Sequence, residues 1–219
     1  MSLKYRYQNF QIGDHEISLR LLRDMNQFSD PDYAAKDAGI SQAAWPLFGM
    51  IWASSEALAE IMLDYHITGK RVLEVGCGMA LVSHLLNLRG ADITAMDIHP
   101  VVGDFLASNA SLNNCDPIPF LNASWGDMHT DLGKFDLILG SDILYEPKHI
   151  KTLASFIDNH ASKHSEVIIM DPDRGQGAPF HEAMMLRGFD CEGFRSEVTD
   201  HLGLEYSGRC YRYYRGQST

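Results

Sequence analysis

The run Glu74-Val75-Gly76-Cys77-Gly78-Met79-Ala80 sets two glycines and a third small residue directly after the apolar stretch Arg71-Val72-Leu73. Glycines where a strand turns into a helix permit a tight bend and let the backbone approach a bound molecule closely. Spacing then discriminates between ligands. A dinucleotide fingerprint wants its third glycine three residues after Gly78, where this chain has Leu81, and the Gly-Lys-Ser/Thr of a phosphate loop is absent. Asp97 stands 21 residues beyond Gly76, at the end of a second apolar stretch. A carboxylate there can accept hydrogen bonds from both ribose hydroxyls of an adenosine. With the acidic Glu74 just ahead of the turn, the pattern points to an adenosine-bearing ligand that is not a dinucleotide.

A second group of residues lies downstream. Phe135-Asp136-Leu137-Ile138-Leu139-Gly140-Ser141 is an apolar stretch running straight into Asp142-x-x-Tyr145, and Asn122-Ala123-Ser124-Trp125 puts an indole at the end of the stretch before it. On their own, Asp142 could cap a following helix, Tyr145 could pack beneath it, and Trp52 and Trp125 could be plain core. His160 and His164 stand at i and i+4. They could share a metal on a helix, but no third ligand accompanies them, so a solvated helix end is expected and no metal. Asp171-Pro172-Asp173 reads as the end of a strand.

The elements that must position these residues alternate. Residues 4–23 read as a hairpin, with Tyr5, Tyr7, Phe10 and Ile12 before a Gly13-Asp14 turn and Ile17, Leu19 and Leu21 after it. Residues 24–44 lack periodicity and hold Asp24, Asp30, Asp32 and Asp37, a mobile acidic loop. Leu58, Ile61, Met62 and Tyr65 share one face of a helix starting near Ser54. Strands are expected at 71–75, 91–97, 118–124, 135–141 and 166–170. The helices between and after them run through Leu81–Leu88, 101–113, 147–160 and 181–186. The tail breaks the alternation, since 189–198 and 204–215 are consecutive strands with no room for a helix between them, hence antiparallel. The fold class is α/β: a doubly wound, Rossmann-like seven-stranded sheet, mostly parallel with an antiparallel last strand, plus the N-terminal hairpin. One domain spans 1–219, with 1–44 as hairpin and acidic loop and 45–215 as the core.

Over roughly residues 45–215 the chain resembles the class I, seven-β-strand methyltransferases that use S-adenosyl-L-methionine, with Ala80 where their glycine motif usually carries a third glycine. Trp52, Trp125 and Asp142-x-x-Tyr145 narrow this to methyltransferase family 16, the Asp-x-x-Tyr protein-lysine methyltransferases, to which the hairpin is also similar. The resemblance implies that Trp52, Gly76, Cys77, Gly78, Asp97, Trp125 and Ser141 contact the cofactor, Cys77 and Ser141 mainly through backbone. Glu74 is counted with them, and Asp142 and Tyr145 with the acceptor channel as catalytic residues. It further implies methyl transfer to a lysine side chain of a protein. A small-molecule N-methyltransferase, with 24–44 as its lid, remains an alternative. An arginine-directed enzyme would want paired glutamates, and Glu146 stands alone. A non-catalytic cofactor-binding module is the rival of another class.

Composition sets the outer limits. The chain has 219 residues, 45% of them hydrophobic, and a formal charge of −11. That length buries a sizeable core without staples. No Lys/Arg cluster offsets the charge, so nucleic acid is an unfavourable partner, whereas a basic protein segment or an amine is a favourable one. No apolar run approaches the ~20 residues of a membrane helix. The N-terminal stretch has no signal-peptide core. Cys77, Cys115, Cys191 and Cys210 lie far apart, as reduced thiols of a cytoplasmic protein would. The oligomeric state is not encoded in any feature of the chain.

Overall fold

In a computed structural model the chain is described over residues 3–127, 130–194 and 206–216. Two strands, β1 (Tyr5–Ile12) and β2 (His15–Leu22), pair antiparallel across the two-residue Gly13-Asp14 turn, as the alternation predicts. The acidic segment carries one short helix, α1 (Ala34–Asp37), and leads to a 3-10 turn over Trp45–Gly49. Then follow α2 (Ala53–Leu63), β3 (Arg71–Val75), α3 (Leu81–Leu88), β4 (Asp92–Asp97), α4 (Val102–Leu112), β5 (Phe120–Asn122) and β6 (Phe135–Ser141). The chain closes with α5 (Ile150–His160), β7 (Ala161–Asp171), α6 (Gly177–Met185), β8 (Asp190–Phe194) and β9 (Arg209–Arg215).

The seven-stranded sheet has the order β5-β4-β3-β6-β7-β9-β8, and only β9 runs against the rest. The expected sheet, including its antiparallel last strand, is therefore present; the parts of the two predicted tail strands that fall at 195–205 lie outside the described residues. Side chains alternate between two cores as the pleat requires. Val72, Ile93, Ala95, Leu137, Leu139, Ile168 and Met170 face one layer with α2, α3, α4 and the hairpin. Leu73, Val75, Met96, Ile138, Val167 and Ile169 face the other, with α5 and α6. Among the described residues no helix is long and apolar enough to cross a membrane.

Four expectations are corrected. Tyr65 lies beyond α2, which stops at Leu63. The strand predicted over 166–170 begins five residues earlier, so His164 is on β7 and not on a helix. His160, at the end of α5, is not solvated. It is buried, one ring nitrogen 2.9 Å from Thr130 Oγ1 and the other 3.0 Å from the Gly133 carbonyl. Asp30, read as part of a mobile loop, accepts the N–H groups of Ala35 and Lys36 at 2.9 and 3.0 Å and so anchors α1.

Candidate active site

In this order β3 has β4 on one side and β6 on the other, so chain direction through the sheet reverses between β3 and β6. The crevice beyond the carboxyl ends of the strands at such a reversal is where doubly wound sheets bind ligands. Nearly every residue singled out above falls on that edge. Gly76–Gly78 follow β3, Asp97 ends β4, Trp125 follows β5, and Ser141 and Asp142 end β6.

The glycine turn is stitched to β4. The Cys77 N–H donates to Met96 O at 3.0 Å, and the Gly78 N–H donates to Asp97 Oδ2 at 2.9 Å. Gly76 and Gly78 have φ of +63° and +51°. A Cβ on Gly76 would meet Ile143 Cγ2 at 2.8 Å and Trp125 Cζ2 at 3.4 Å; one on Gly78 would meet the Phe48 carbonyl at 3.1 Å. Trp125 thus lies against the glycine turn, with its ring edge-on to His149 at 6.0 Å. Ala80 also takes the left-handed conformation, at φ 56°, which explains why a glycine would suit that place. Trp52 is joined to the turn indirectly. Its indole N–H donates to Leu47 O at 3.2 Å, holding the Trp45–Gly49 turn that overlies Gly78.

Two carboxylates are buried here. Asp97 accepts the His99 N–H at 2.8 Å besides that of Gly78, yet burial still pushes its carboxyl above the usual range. Glu74 accepts the Ser83 N–H at 2.9 Å and the Ser83 hydroxyl, tying β3 to the first turn of α3. Its other oxygen, Oε1, has no hydrogen-bond partner. Burial raises the Glu74 carboxyl to about 7, with the Asp97 charge adding to the rise. Glu74 Oε1 thus lacks a donor among the described residues, and burial disfavours the charge on both carboxylates.

The Asp142 end of the crevice carries an ion pair. Asp142 has φ 54° and donates its N–H to Met170 O at 2.8 Å. Its carboxylate is not free: Arg174 Nε and Nη2 each donate to it at 3.0 Å. Tyr145 is half exposed, and its phenol is held above the ordinary value by burial and then by the charges of Asp97, Glu146 and Asp142.

Several residues on this edge escaped the sequence reading. Phe48 and Trp45 pack on His99 at 4.0 and 5.2 Å, roofing the crevice beside Gly78. Asp171 is fully buried at the end of β7, and Tyr206 donates to or accepts from Ser54 Oγ at 2.9 Å. A carboxylate at the carboxyl end of an interior parallel strand is a site signal in its own right, and Asp171 carried it.

A mostly parallel seven-stranded sheet with a reversed last strand and a glycine turn after β3 is the class I methyltransferase fold. The structure superposes on the magnesium protoporphyrin IX methyltransferase from Synechocystis PCC 6803 with a TM-score of 0.60, at 17% identity and over 88% of each chain. A family model described as lysine methyltransferase matches residues 37–182, and the chain belongs to that family. Mouse electron transfer flavoprotein beta subunit lysine methyltransferase is 33% identical over 165 residues, 74% of this chain and 62% of that protein. The chain thus spans about three fifths of the length of that relative. Histone-arginine methyltransferase METTL23 from Xenopus laevis is 34% identical over 115 residues, 48% of this chain and 49% of that one.

Proposed function

We propose that this chain is an S-adenosyl-L-methionine-dependent N-methyltransferase acting on a lysine side chain of a protein. The observation that carries the reading is the meeting, on one sheet edge, of the Gly76–Asp97 turn after β3 and β4 with the Asp142–Tyr145 loop after β6, in a chain belonging to the lysine methyltransferase family. In this reading Gly76, Cys77 and Gly78 hold the cofactor through backbone, and Asp97 accepts its ribose hydroxyls. Trp125 and Trp52 wall its adenosine side, Ser141 adds backbone, and Glu74 keeps the turn closed.

When bound, S-adenosyl-L-methionine supplies a methyl group on a positively charged sulfur, passed in line to a nitrogen. The chain's own part is alignment of acceptor and donor, which can be worth roughly 7–11 kcal/mol. Asp142 orients the acceptor nitrogen, which gains positive charge during transfer, and Tyr145 faces that charge with its ring for about 0.5–2 kcal/mol. The roof of Phe48 and Trp45 excludes water from the cofactor half. The acceptor is a basic protein segment drawn by the acidic surface. The four cysteines form no disulfide with one another, in keeping with a reducing, cytoplasmic setting.

The test is methyl-labelled cofactor with a lysate split into macromolecular and small-molecule fractions. Label recovered as methyl-lysine after hydrolysis, and lost with Asp142→Asn, is the expected result. Asn tolerates the left-handed backbone, so this variant should keep its cofactor affinity while transfer falls at least tenfold. Label confined to the small-molecule pool would make this a metabolite enzyme, and methyl-arginine would make it an arginine enzyme like the Xenopus relative.

A further inference from the structure

The Asp142–Arg174 pair poses a chemical problem whose answer is a role for Arg174. This inference rests on the lysine reading above. A lysine amine has a pKa of about 10.4, so at neutral pH it arrives protonated and has no lone pair to give. A bare carboxylate within about 4–6 Å would raise that value by a further 1–3 units. Asp142 is needed to orient the acceptor, yet its charge alone would keep the acceptor in the unreactive form.

The structure shows the charge already answered. Both Asp142 oxygens receive a guanidinium N–H at 3.0 Å, the bidentate geometry only arginine offers. The Arg174 side chain is 48% exposed while that of Asp142 is 10% exposed, so the pair sits at the mouth of the crevice and not in the core. The loop carrying Arg174 is built for this. Asp171, fully buried at the end of β7, accepts the Asp173 N–H at 2.8 Å and the Arg174 N–H at 3.3 Å through one oxygen. Asp173 takes φ 63°, and its carboxylate is held by Arg209 Nε at 2.8 Å. Of the five non-glycine residues at positive φ among the described residues, three (Ala80, Asp142 and Asp173) lie in the loops of this one edge. Strain concentrated there is what a functional edge tolerates.

We propose that Arg174 is a positioning residue for methyl transfer: clamped on Asp142, it lets the carboxylate orient the acceptor nitrogen while cancelling the charge that would hold that nitrogen protonated. The acceptor N–H bond breaks before transfer, its proton passes to bulk water, and the nitrogen keeps the electron pair. Other groups around Asp142 do not replace Arg174. Tyr145 on the same loop and Tyr206, ahead of β9, are neutral phenols at working pH, Tyr206 pushed up to about 12 by burial. Asp171 and, through Tyr145, Asp97 and Glu146 add negative charge, while Asp173 is matched by Arg209 and Glu146 by Lys148. Ser54 of α2 does not ionise.

Two readouts test this. In the pH profile of kcat with the labelled protein pool, Arg174→Gln should move the acid limb up by about one unit. That is roughly a tenfold loss at neutral pH that closes toward wild type in alkali, with no rise in KM, and Arg174→Lys should lie between. Independently of turnover, n-butylammonium titrated by NMR at pH 7 with S-adenosylhomocysteine present should bind Arg174→Gln about tenfold more tightly than wild type. Arg174→Ala must repeat both effects, and melting curves confirm that the variants are folded. An equal fractional loss at every pH, or unchanged or weaker butylammonium binding, overturns the role of Arg174. Failure of the wild type to label protein would instead strike the lysine reading, and the butylammonium titration would still judge the pair.

Discussion

His84, on α3, is buried with neither ring nitrogen hydrogen-bonded among the described residues. Burial lowers it from 6.5 to about 4, so the folded chain holds this proton less firmly than the unfolded one. Between those values the unfolded state takes up more protons, and stability falls as pH falls from about 6.5 to about 4, by roughly 3 kcal/mol for this group alone. His99 shifts the same way. Glu74 acts in the opposite sense, because a carboxyl raised to about 7 loses stability as pH rises from its ordinary value toward 7. His84→Leu isolates the first contribution and removes two unpaired polar atoms from an apolar site. It should raise the melting temperature at pH 5 by several degrees and by distinctly less at pH 8. An equal gain at both values would mean that His84 is not neutral because of its burial. Ala80, one turn of chain before His84, makes a second residue-level case. At φ 56° an alanine costs about 1–2 kcal/mol, and glycine removes that strain while adding freedom to the unfolded chain. Ala80→Gly should therefore be neutral to slightly stabilising in a denaturant titration. A clear loss of stability would mean that the buried methyl contributes more than its backbone costs.

Among the elements, the hairpin is joined to the α/β layer by a device that periodicity does not reveal. Asn109 and Asn113 lie one turn apart on and just past α4. Each presents its amide to the free edge of β2: Asn109 Oδ1 accepts the Arg20 N–H and Asn113 Oδ1 the Ser18 N–H, both at 2.8 Å. The Asn113 side chain also donates to the Ser18 carbonyl at 2.8 Å. An exposed strand edge is thereby closed to other chains. Asn109 is fully buried, so Asn109→Ala should cost about 1–3 kcal/mol and Asn113→Ala less, read by chemical denaturation. Equal, negligible losses would show that apolar contacts alone dock the hairpin. Here lies the boundary of what the chain discloses. Strands β3, β4 and β6, the glycine turn and Asp97 were legible because apolar alternation and turn chemistry are local. The Asn ladder and the Asp142–Arg174 pair join positions 89 or more and 32 residues apart, and depend on how loops settle after the sheet forms. The early start of β7 was hidden because Ser162, Lys163 and His164 are polar at a sheet end, where pairing with Gly216 and β6 decides the matter.

For the molecule as a whole, the proposed protein acceptor makes net charge the quantity to test. The chain carries −11 over 219 residues, and Asp24, Asp30, Asp32 and Asp37 all lie in the segment before the Trp45 turn. Asp24 is matched by Arg23 and Asp30 is committed to α1, where its charge also reaches His99, whereas Asp32 and Asp37 stay exposed. A negative rim of this kind speeds encounter with a basic segment without touching the chemistry, and salt screens it with a Debye length of about 10 Å at 0.1 M. Raising ionic strength from about 50 mM to about 500 mM should therefore increase KM for a basic protein acceptor several-fold and leave kcat nearly constant. The double variant Asp32→Asn/Asp37→Asn should flatten that dependence while its low-salt kcat is unchanged, since neither residue belongs to the crevice. A KM indifferent to salt would remove steering by the acidic surface and leave acceptor choice to the crevice alone. A salt-sensitive KM that the double variant does not alter would assign steering to the general charge of the molecule and not to this segment.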